Sequence, residues 1–365
     1  MKPKTCTRRK INQPSPSLGH QVLLVMQFSS VPSLKTLVTA GLFATTLWNL
    51  KSFIYHFEMP AKVPTSIAPL TLLVWDWPFH QTLNLSGDIC ADLYSIQGCQ
   101  LTDDRGLFDR ADVVVFHHQE LQRGRANFPK ERSIPLQKWV WVTLESPPHT
   151  RAMAGWKDIF NWVMTYRQDS DIFIPYGELM LHSSTSVNIP DKTGLVSWVI
   201  SNYHHSQKRA QVYKNLSRHL HVDIFGKASK KPLCETCLLA TTSQYKFYLA
   251  FENSIHQDYI TEKLWRNALL AGTVPVVLGP PRANYEKFIP ADSFIHVEDF
   301  GSMQELASFI KSMNASRYRQ FFEWKKTHKV KLYEDWRERF CTICTRYHTL
   351  PKEKLYPDLE NWFRT

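Results

Sequence analysis

The feature that most constrains this chain is a series of short apolar runs separated by polar segments long enough to form helices. They are TLLVW (71–75), ADVVVF (111–116), KWVWVTL (138–144), GLVSWVI (194–200), HVDIF (221–225), YKFYLAF (245–251) and TVPVVL (273–278). Strand-like runs alternating with helix-like segments imply an α/β fold of parallel sheets flanked by helices. A break near 188–193, with a Pro and polar residues, divides the series into two units, 70–190 and 191–365. Two doubly wound, Rossmann-like domains that face one another bind ligands in the cleft at the carboxyl ends of their strands. Chemistry is therefore expected just after each run.

Two segments meet that expectation. After YKFYLAF the chain reads ENSIHQDYITEKLWRNALLAG, in which Thr261 is placed as an N-cap, Leu264, Ala268 and Ala271 share one helical face, and Gly272 closes the helix. Glu262 and Lys263 then lie in the first turn, where free N–H groups and the helix dipole favour an anion and Lys263 adds a full charge, as a diphosphate requires. Glu262 is suited to accept two sugar hydroxyls. A Glu that only answers the dipole beside a solvated Lys is the plainer alternative. In KWVWVTLESPPHT the strand ends in Glu145, and Ser-Pro-Pro stiffens the turn that follows. A carboxylate there suits a general base acting on a hydroxyl, with a cap for the next segment as the alternative.

The N-terminus points to a membrane. Arg8, Arg9 and Lys10 precede the charge-free run TLVTAGLFATTLWNL (36–50), bracketed by Lys35 and Lys51. The run is shorter than the roughly 18 to 20 residues that span hydrocarbon, and snorkelling of the flanking lysines extends it. A cleaved signal peptide and an interfacial helix are the alternatives to an uncleaved signal anchor over 34–54, with a cytoplasmic tail at 1–33 and a Pro-spaced stem at 55–69. The formal charge of +11 invites a nucleic-acid partner, but residues 1–57 hold seven of the 44 basic side chains and no acidic ones. The remainder carries 37 basic against 33 acidic groups, and no nucleic acid is expected. Apart from Cys6, the cysteines form neighbouring pairs, Cys90 with Cys99, Cys234 with Cys237 and Cys341 with Cys344, read as disulfides of an oxidising lumen rather than a zinc or redox CxxC site. Sequons at Asn84, Asn215 and Asn314 fit glycosylation in the same compartment.

The stretch FYLAFENSIHQDYITEKLWRNALLAGTVPVVLGPPRANYEKFIPADSFIHVEDF resembles the donor-binding signature of the animal α-(1,3)-fucosyltransferases, glycosyltransferase family ten. WDWPFHQ, VFHHQEL, WVTLESPPHT, YRQDSDIFIPYG and DWRERFCTIC extend the resemblance from about Leu70 to the C-terminus. Among its members the chain is most similar to the leukocyte type that makes sialyl-Lewis x. The resemblance implies the GT-B arrangement, GDP-fucose as donor, sialylated N-acetyllactosamine as acceptor, and a Golgi type II membrane protein with its catalytic body in the lumen. It makes Glu145 the base for the 3-hydroxyl of N-acetylglucosamine, Lys263 and Arg209 the groups that offset diphosphate charge, and Glu262 the ribose ligand. Tyr248, Asn253 and Tyr259 would line the donor pocket, with further donor contacts at Gln81, Tyr176, Val199, Ser201 and Asn202.

Asp169-Ser170-Asp171 has the DxD form that holds manganese in other glycosyltransferases. Here both aspartates are read as structural, and no metal is required, manganese being at most a stimulant. His117 and His118 follow a strand and are given a packing or acceptor-side role. Gln168 stands where the family usually has a second Arg, which removes a cation expected near an acidic acceptor. A transferase preferring unsialylated acceptors and an inactive sugar-binding homologue are the alternative functions.

Overall fold

The computed structural model describes residues 68–123 and 128–365. The expected tail and anchor, Cys6 and most of the stem lie outside the described residues.

The first sheet contains β1 (Leu70–Val74), β2 (Cys99–Thr102), β3 (Val113–His117), β4 (Lys138–Thr143), β5 (Trp162–Thr165) and β6 (Ile172–Phe173), in the order β2-β1-β3-β4-β5-β6. Every neighbouring pair in it is parallel. The chain leaves it through β7 (Gly177–Leu181) and builds a second sheet from β8 (Gly194–Val199), β9 (Asp223–Phe225), β10 (Tyr245–Phe251), β11 (Val274–Leu278) and β12 (Ile295–His296). Its order is β12-β11-β10-β8-β9, again wholly parallel. The apolar runs read from the sequence are β1, β3, β4 and β8 to β11; the short strands β2, β5 and β12 were not anticipated. β3 and β4 are buried at every position, as central strands covered on both faces must be. Even Lys138 is buried, its Nζ donating to the Lys352 carbonyl at 2.7 Å.

The end of the chain departs from the expected boundary. After the second sheet, β13 (His328–Leu332) pairs antiparallel with β7, from His328 opposite Leu181 to Leu332 opposite Gly177. The helices Trp336–Arg346 and Leu359–Arg364 then pack on the first core, not the second. Phe340, Ile343, Leu359 and Phe363 are buried there, and the Phe363 ring meets Trp141 of β4 at 5.1 Å. Residues 336–364, assigned from sequence to the second domain, thus complete the first. The returning chain serves both faces of the first sheet, since Trp141 stands in register with Val163 and Val140 with Trp162, which turns the two tryptophans to opposite faces. The Trp162 indole, for example, donates to the Pro351 carbonyl at 2.9 Å.

The disulfides follow this return and correct the expected pairing. Cys234 does join Cys237, but Cys90 joins Cys341 and Cys99 joins Cys344. Cys90 and Cys99 lie on the helix Ile89–Tyr94 and on β2, against which the helix Trp336–Arg346 packs. Spacing suggested local loops, whereas the bridges span 251 and 245 residues. Asn84, Asn215 and Asn314 are all exposed.

With Cys99–Cys344 in place, the Cys90–Cys341 bridge closes a further ring through residues 90–99 and 341–344, larger than the three-residue ring of Cys234–Cys237, and so restricts the unfolded chain more. Replacing Cys90 and Cys341 together by Ser is expected to destabilise the protein by about 2 to 5 kcal/mol. The Cys234/Cys237 double variant should melt close to the parent. Thermal unfolding under non-reducing conditions checks both, and equal melting points for the two double variants would contradict the loop argument.

Candidate active site

The carboxyl ends of β3, β4, β8 and β10 surround a cavity of about 420 Å³. β8 and β10 are adjacent, with chain leaving to β9 on one side and β11 on the other, so the second sheet contributes its topological switch point. From the first sheet the lining is Glu145, Thr143, His149 and Thr150 after β4, and His118, Gln119, Gln122 and Arg123 after β3. Asn202 and Asn253 close it from the second sheet.

Glu145 lies two residues past β4. Its N–H donates to Thr143 Oγ1 at 3.2 Å, its carbonyl accepts from Thr150 Oγ1 at 3.3 Å, and the Pro147–His149 turn fixes the exit of the chain. Tyr176 supports this corner by donating to the Leu144 carbonyl at 2.6 Å. Burial pushes the Glu145 carboxyl above its ordinary value; His149 and Lys263 pull it down and Glu262 pushes it up. The carboxyl is thereby a stronger proton acceptor than an exposed one.

The second centre is a buried ionic cluster. Glu252, the residue after β10, is 3% exposed and accepts from Thr261 N–H at 2.9 Å and from Thr261 Oγ1 at 3.0 and 2.9 Å. Lys263 Nζ reaches Glu252 Oε2 at 2.9 Å, Glu262 Oε1 at 3.1 Å and Thr261 Oγ1 at 2.7 Å. Burial opposes the charge of Lys263, but the two carboxylates outweigh it and hold the ammonium firmly protonated. Burial likewise tends to raise Glu262, yet Lys263 and the Thr261 hydrogen bond keep it below its ordinary value. Thr261 does precede the first helical residue, but its hydroxyl does not cap the helix as expected. It is turned to Glu252, because a buried carboxylate needs donors more than a helix N–H needs an acceptor. The helix runs through Glu262–Leu264 into a π-helical turn, Trp265–Leu270, and ends at Gly272, whose φ of 72° is left-handed.

The other candidate residues sort by burial. Arg209 is 4% exposed, donates from Nε to Gln207 Oε1 at 3.0 Å and from Nη2 to the Asn202 carbonyl, and feels Glu252 and Glu262; burial lowers its pKa. Tyr259 packs edge-on against Tyr166 and Tyr176 at 4.9 and 6.5 Å. Tyr248 is fully buried in β10 and accepts from Asn267 Nδ2 at 3.0 Å, so it supports the site from behind. Val199 ends β8, with exposed Ser201 beyond it, and Asn253 Oδ1 is buried without a partner. Gln81 is exposed in the loop after β1 and does not line the cavity. His118 donates through Nε2 to the Arg151 carbonyl at 2.7 Å and accepts from the Trp141 indole at 3.0 Å. Burial lowers its pKa to about 4, so it is a neutral part of the cavity wall. Asp169 is paired bidentately with Arg167, and Asp171 accepts from Val163 N–H, Lys354 and Tyr356. Neither lines the cavity.

The comparisons with known proteins follow this geometry. Residues 189–362 match the family model described as glycosyltransferase family 10 (fucosyltransferase) C-term, and residues 68–177 match the N-terminal fucosyltransferase model. The chain belongs to glycosyltransferase family 10, the fucosyltransferases. Within it the chain groups with α-(1,3)-fucosyltransferases. It is 54% identical over 319 residues to alpha-(1,3)-fucosyltransferase 7 of Homo sapiens, covering 87% of this chain and 91% of that one. It is 45% identical over 296 residues to 4-galactosyl-N-acetylglucosaminide 3-alpha-L-fucosyltransferase 9 of Rattus norvegicus, covering 80% and 82%. A crystal structure of an alpha1,3-fucosyltransferase with GDP-fucose shares the fold at a TM-score of 0.51 and 19% identity, over 80% of this chain and 93% of that one.

Glu252 and the group at 119–123 carried no role in the sequence reading of this fucosyltransferase. The signal for Glu252 was present, since an acid directly after an apolar strand is the same pattern that marked Glu145. Glu252→Gln is expected to loosen Lys263, raising the KM for the nucleotide sugar roughly tenfold while leaving the acceptor KM unchanged, as loss of a charged hydrogen bond predicts. Steady-state kinetics varying each substrate in turn provide the check. An unchanged donor KM would mean that Lys263 is positioned without Glu252.

Proposed function

We propose that this fucosyltransferase moves L-fucose from GDP-β-L-fucose to the 3-hydroxyl of N-acetylglucosamine in sialylated N-acetyllactosamine glycans, giving sialyl-Lewis x type products. The observation that carries the reading is the position of Glu145, with its raised pKa, in a polar cleft between two parallel sheets and within the field of Lys263. The two sheets are those of a GT-B enzyme, with acceptor on the first and donor on the second. Glu145 takes the proton from the attacking hydroxyl as the new bond forms at the fucose anomeric carbon and the bond to GDP breaks, in one inverting step. Lys263 and Arg209 offset the charge gathering on the departing diphosphate. An arriving diphosphate can displace Glu262, whose side chain is 36% exposed, from Lys263, whereas Glu252 at 1% stays in place. Glu262 is then free to take the ribose.

No step calls for a metal, because two cations already face the leaving group. Residues 34–54 act as a signal anchor that holds the body in the Golgi lumen. Transfer to unsialylated acceptors is the second reading, favoured by the 45% identity to the 4-galactosyl-N-acetylglucosaminide enzyme.

Glu145→Gln is expected to lower kcat by about 10² to 10⁴ with little change in GDP affinity. Because the base works only when ionised and its pKa is raised, the acid limb of the kcat/KM profile should lie above the ordinary carboxylate value of 4.5 and be lost in the variant. Labelled-fucose transfer by residues 62–365 to sialylated and unsialylated acceptors measures both. A variant as active as the parent would remove Glu145 from the chemistry. EDTA should leave substantial activity, and complete loss restored only by manganese would overturn the metal-free reading.

A further inference from the structure

The cavity has a charge problem that the donor side does not solve. An acidic acceptor must bring a carboxylate into a space already holding the Glu145 carboxyl, and Gln168 neither lines that space nor carries a charge. The Gln168 N–H is itself committed to Asp258 Oδ2 at 2.9 Å. His118 is held neutral by burial and has both ring nitrogens occupied. Lys263 and Arg209 are directed to the donor side. Among the described residues that line the cavity, Arg123 carries the one permanent positive charge.

The geometry points to Arg123 as the residue that reads the carboxylate of the acidic acceptor sugar, an inference that rests on the sialylated-acceptor reading above. Arg123 follows the short helix His118–Gln122, which leaves β3 beside β4 and hence beside Glu145. Its side chain is 41% exposed, and among the described residues its guanidinium makes no hydrogen bond. Among the described residues its ionic partner is Glu120, with Oε1 at 3.7 Å, beyond hydrogen-bonding range. Glu120 is fully buried, and its other oxygen lies 2.7 Å from His80 Nε2. The buried carboxylate therefore steadies Arg123 by its field without using its donors. Gln119 adds a side-chain oxygen, buried and unpartnered, on the same wall. A guanidinium with its fork open and an amide oxygen awaiting a donor suit a sugar acid that presents a carboxylate and hydroxyls together.

The test compares parent, Arg123→Gln and Arg123→Lys on three acceptors: sialylated N-acetyllactosamine, its sialic acid methyl ester, and the unsialylated sugar. Arg123→Gln should raise the KM for the sialylated acceptor on the order of ten- to a hundredfold, the effect of losing a charged hydrogen bond. The ester should show no difference between parent and variant, and Arg123→Lys should recover part of the loss. GDP affinity and melting temperature should stay at parental values. An equal penalty on the ester would assign Arg123 a structural role through Glu120, and weakened GDP binding would place it on the donor side; either overturns the inference. Transfer by the parent to the sialylated acceptor with an insensitive variant overturns this inference alone. A parent that does not use that acceptor overturns the acceptor reading itself, and this inference with it.

Discussion

A carboxylate taken out of water must have its lone pairs answered, and Glu252 obtains all its answers from one short segment. Thr261 supplies its N–H and its hydroxyl, and Lys263 supplies its ammonium. The Glu252 N–H is in turn bound to the Leu278 carbonyl at 2.8 Å, next to the end of β11. One side chain thereby ties two central strands of the second sheet to the start of the helix that carries Glu262 and Lys263. The same requirement explains why Thr261 does not cap the helix, since its hydroxyl serves the ion pair.

Around this anchor the site divides its charge. On the side proposed for the donor, Lys263 and Arg209 stand with Glu252 and Glu262, so that the charges nearly cancel and Glu252 orients Lys263 while Glu262 remains partly exposed. On the acceptor side Glu145 stands among hydroxyls, amides and a neutral histidine, and its burial is only partly offset by His149 and Lys263. The two sides differ because β10 ends against a largely buried lysine, while the stiff Ser-Pro-Pro turn after β4 brings only the exposed His149.

The first sheet depends on the far end of the chain. Its two faces are covered from there, the His117 and Trp162 face by the helix Trp336–Arg346 with Tyr347 and the Trp141 face by Phe363 of the helix Leu359–Arg364, and the Cys90–Cys341 and Cys99–Cys344 bridges fix the former helix against the helix Ile89–Tyr94 and β2. The β7/β13 ribbon marks the two crossings between sheets. With both crossings pinned, the cleft is bounded by one continuous unit, and the Tyr176 hydroxyl on the Leu144 carbonyl is one contact through which the crossing reaches the catalytic corner.

Composition and local order determined much of this protein. Runs such as VVVF and, past Lys246, FYLAF are continuous apolar or aromatic stretches that fit strands covered on both faces, so parallel sheets were legible, and with them the rule that places function at strand ends. Glu145, Glu262 and Lys263 followed from that rule and from the family resemblance. What the sequence left open are relations between residues far apart in the chain. Cysteine spacing suggested local pairs, whereas the pairs are set by where the last helix docks. Arg123 carries no local signature that separates it from a surface charge, and Glu252, although it follows an apolar strand as Glu145 does, shows nothing in the sequence of the partners that hold it. Their meaning comes from what the fold places beside them, the cavity that holds Glu145 and a largely buried lysine, because burial and distance, which decide the behaviour of a charge, are properties of the folded chain.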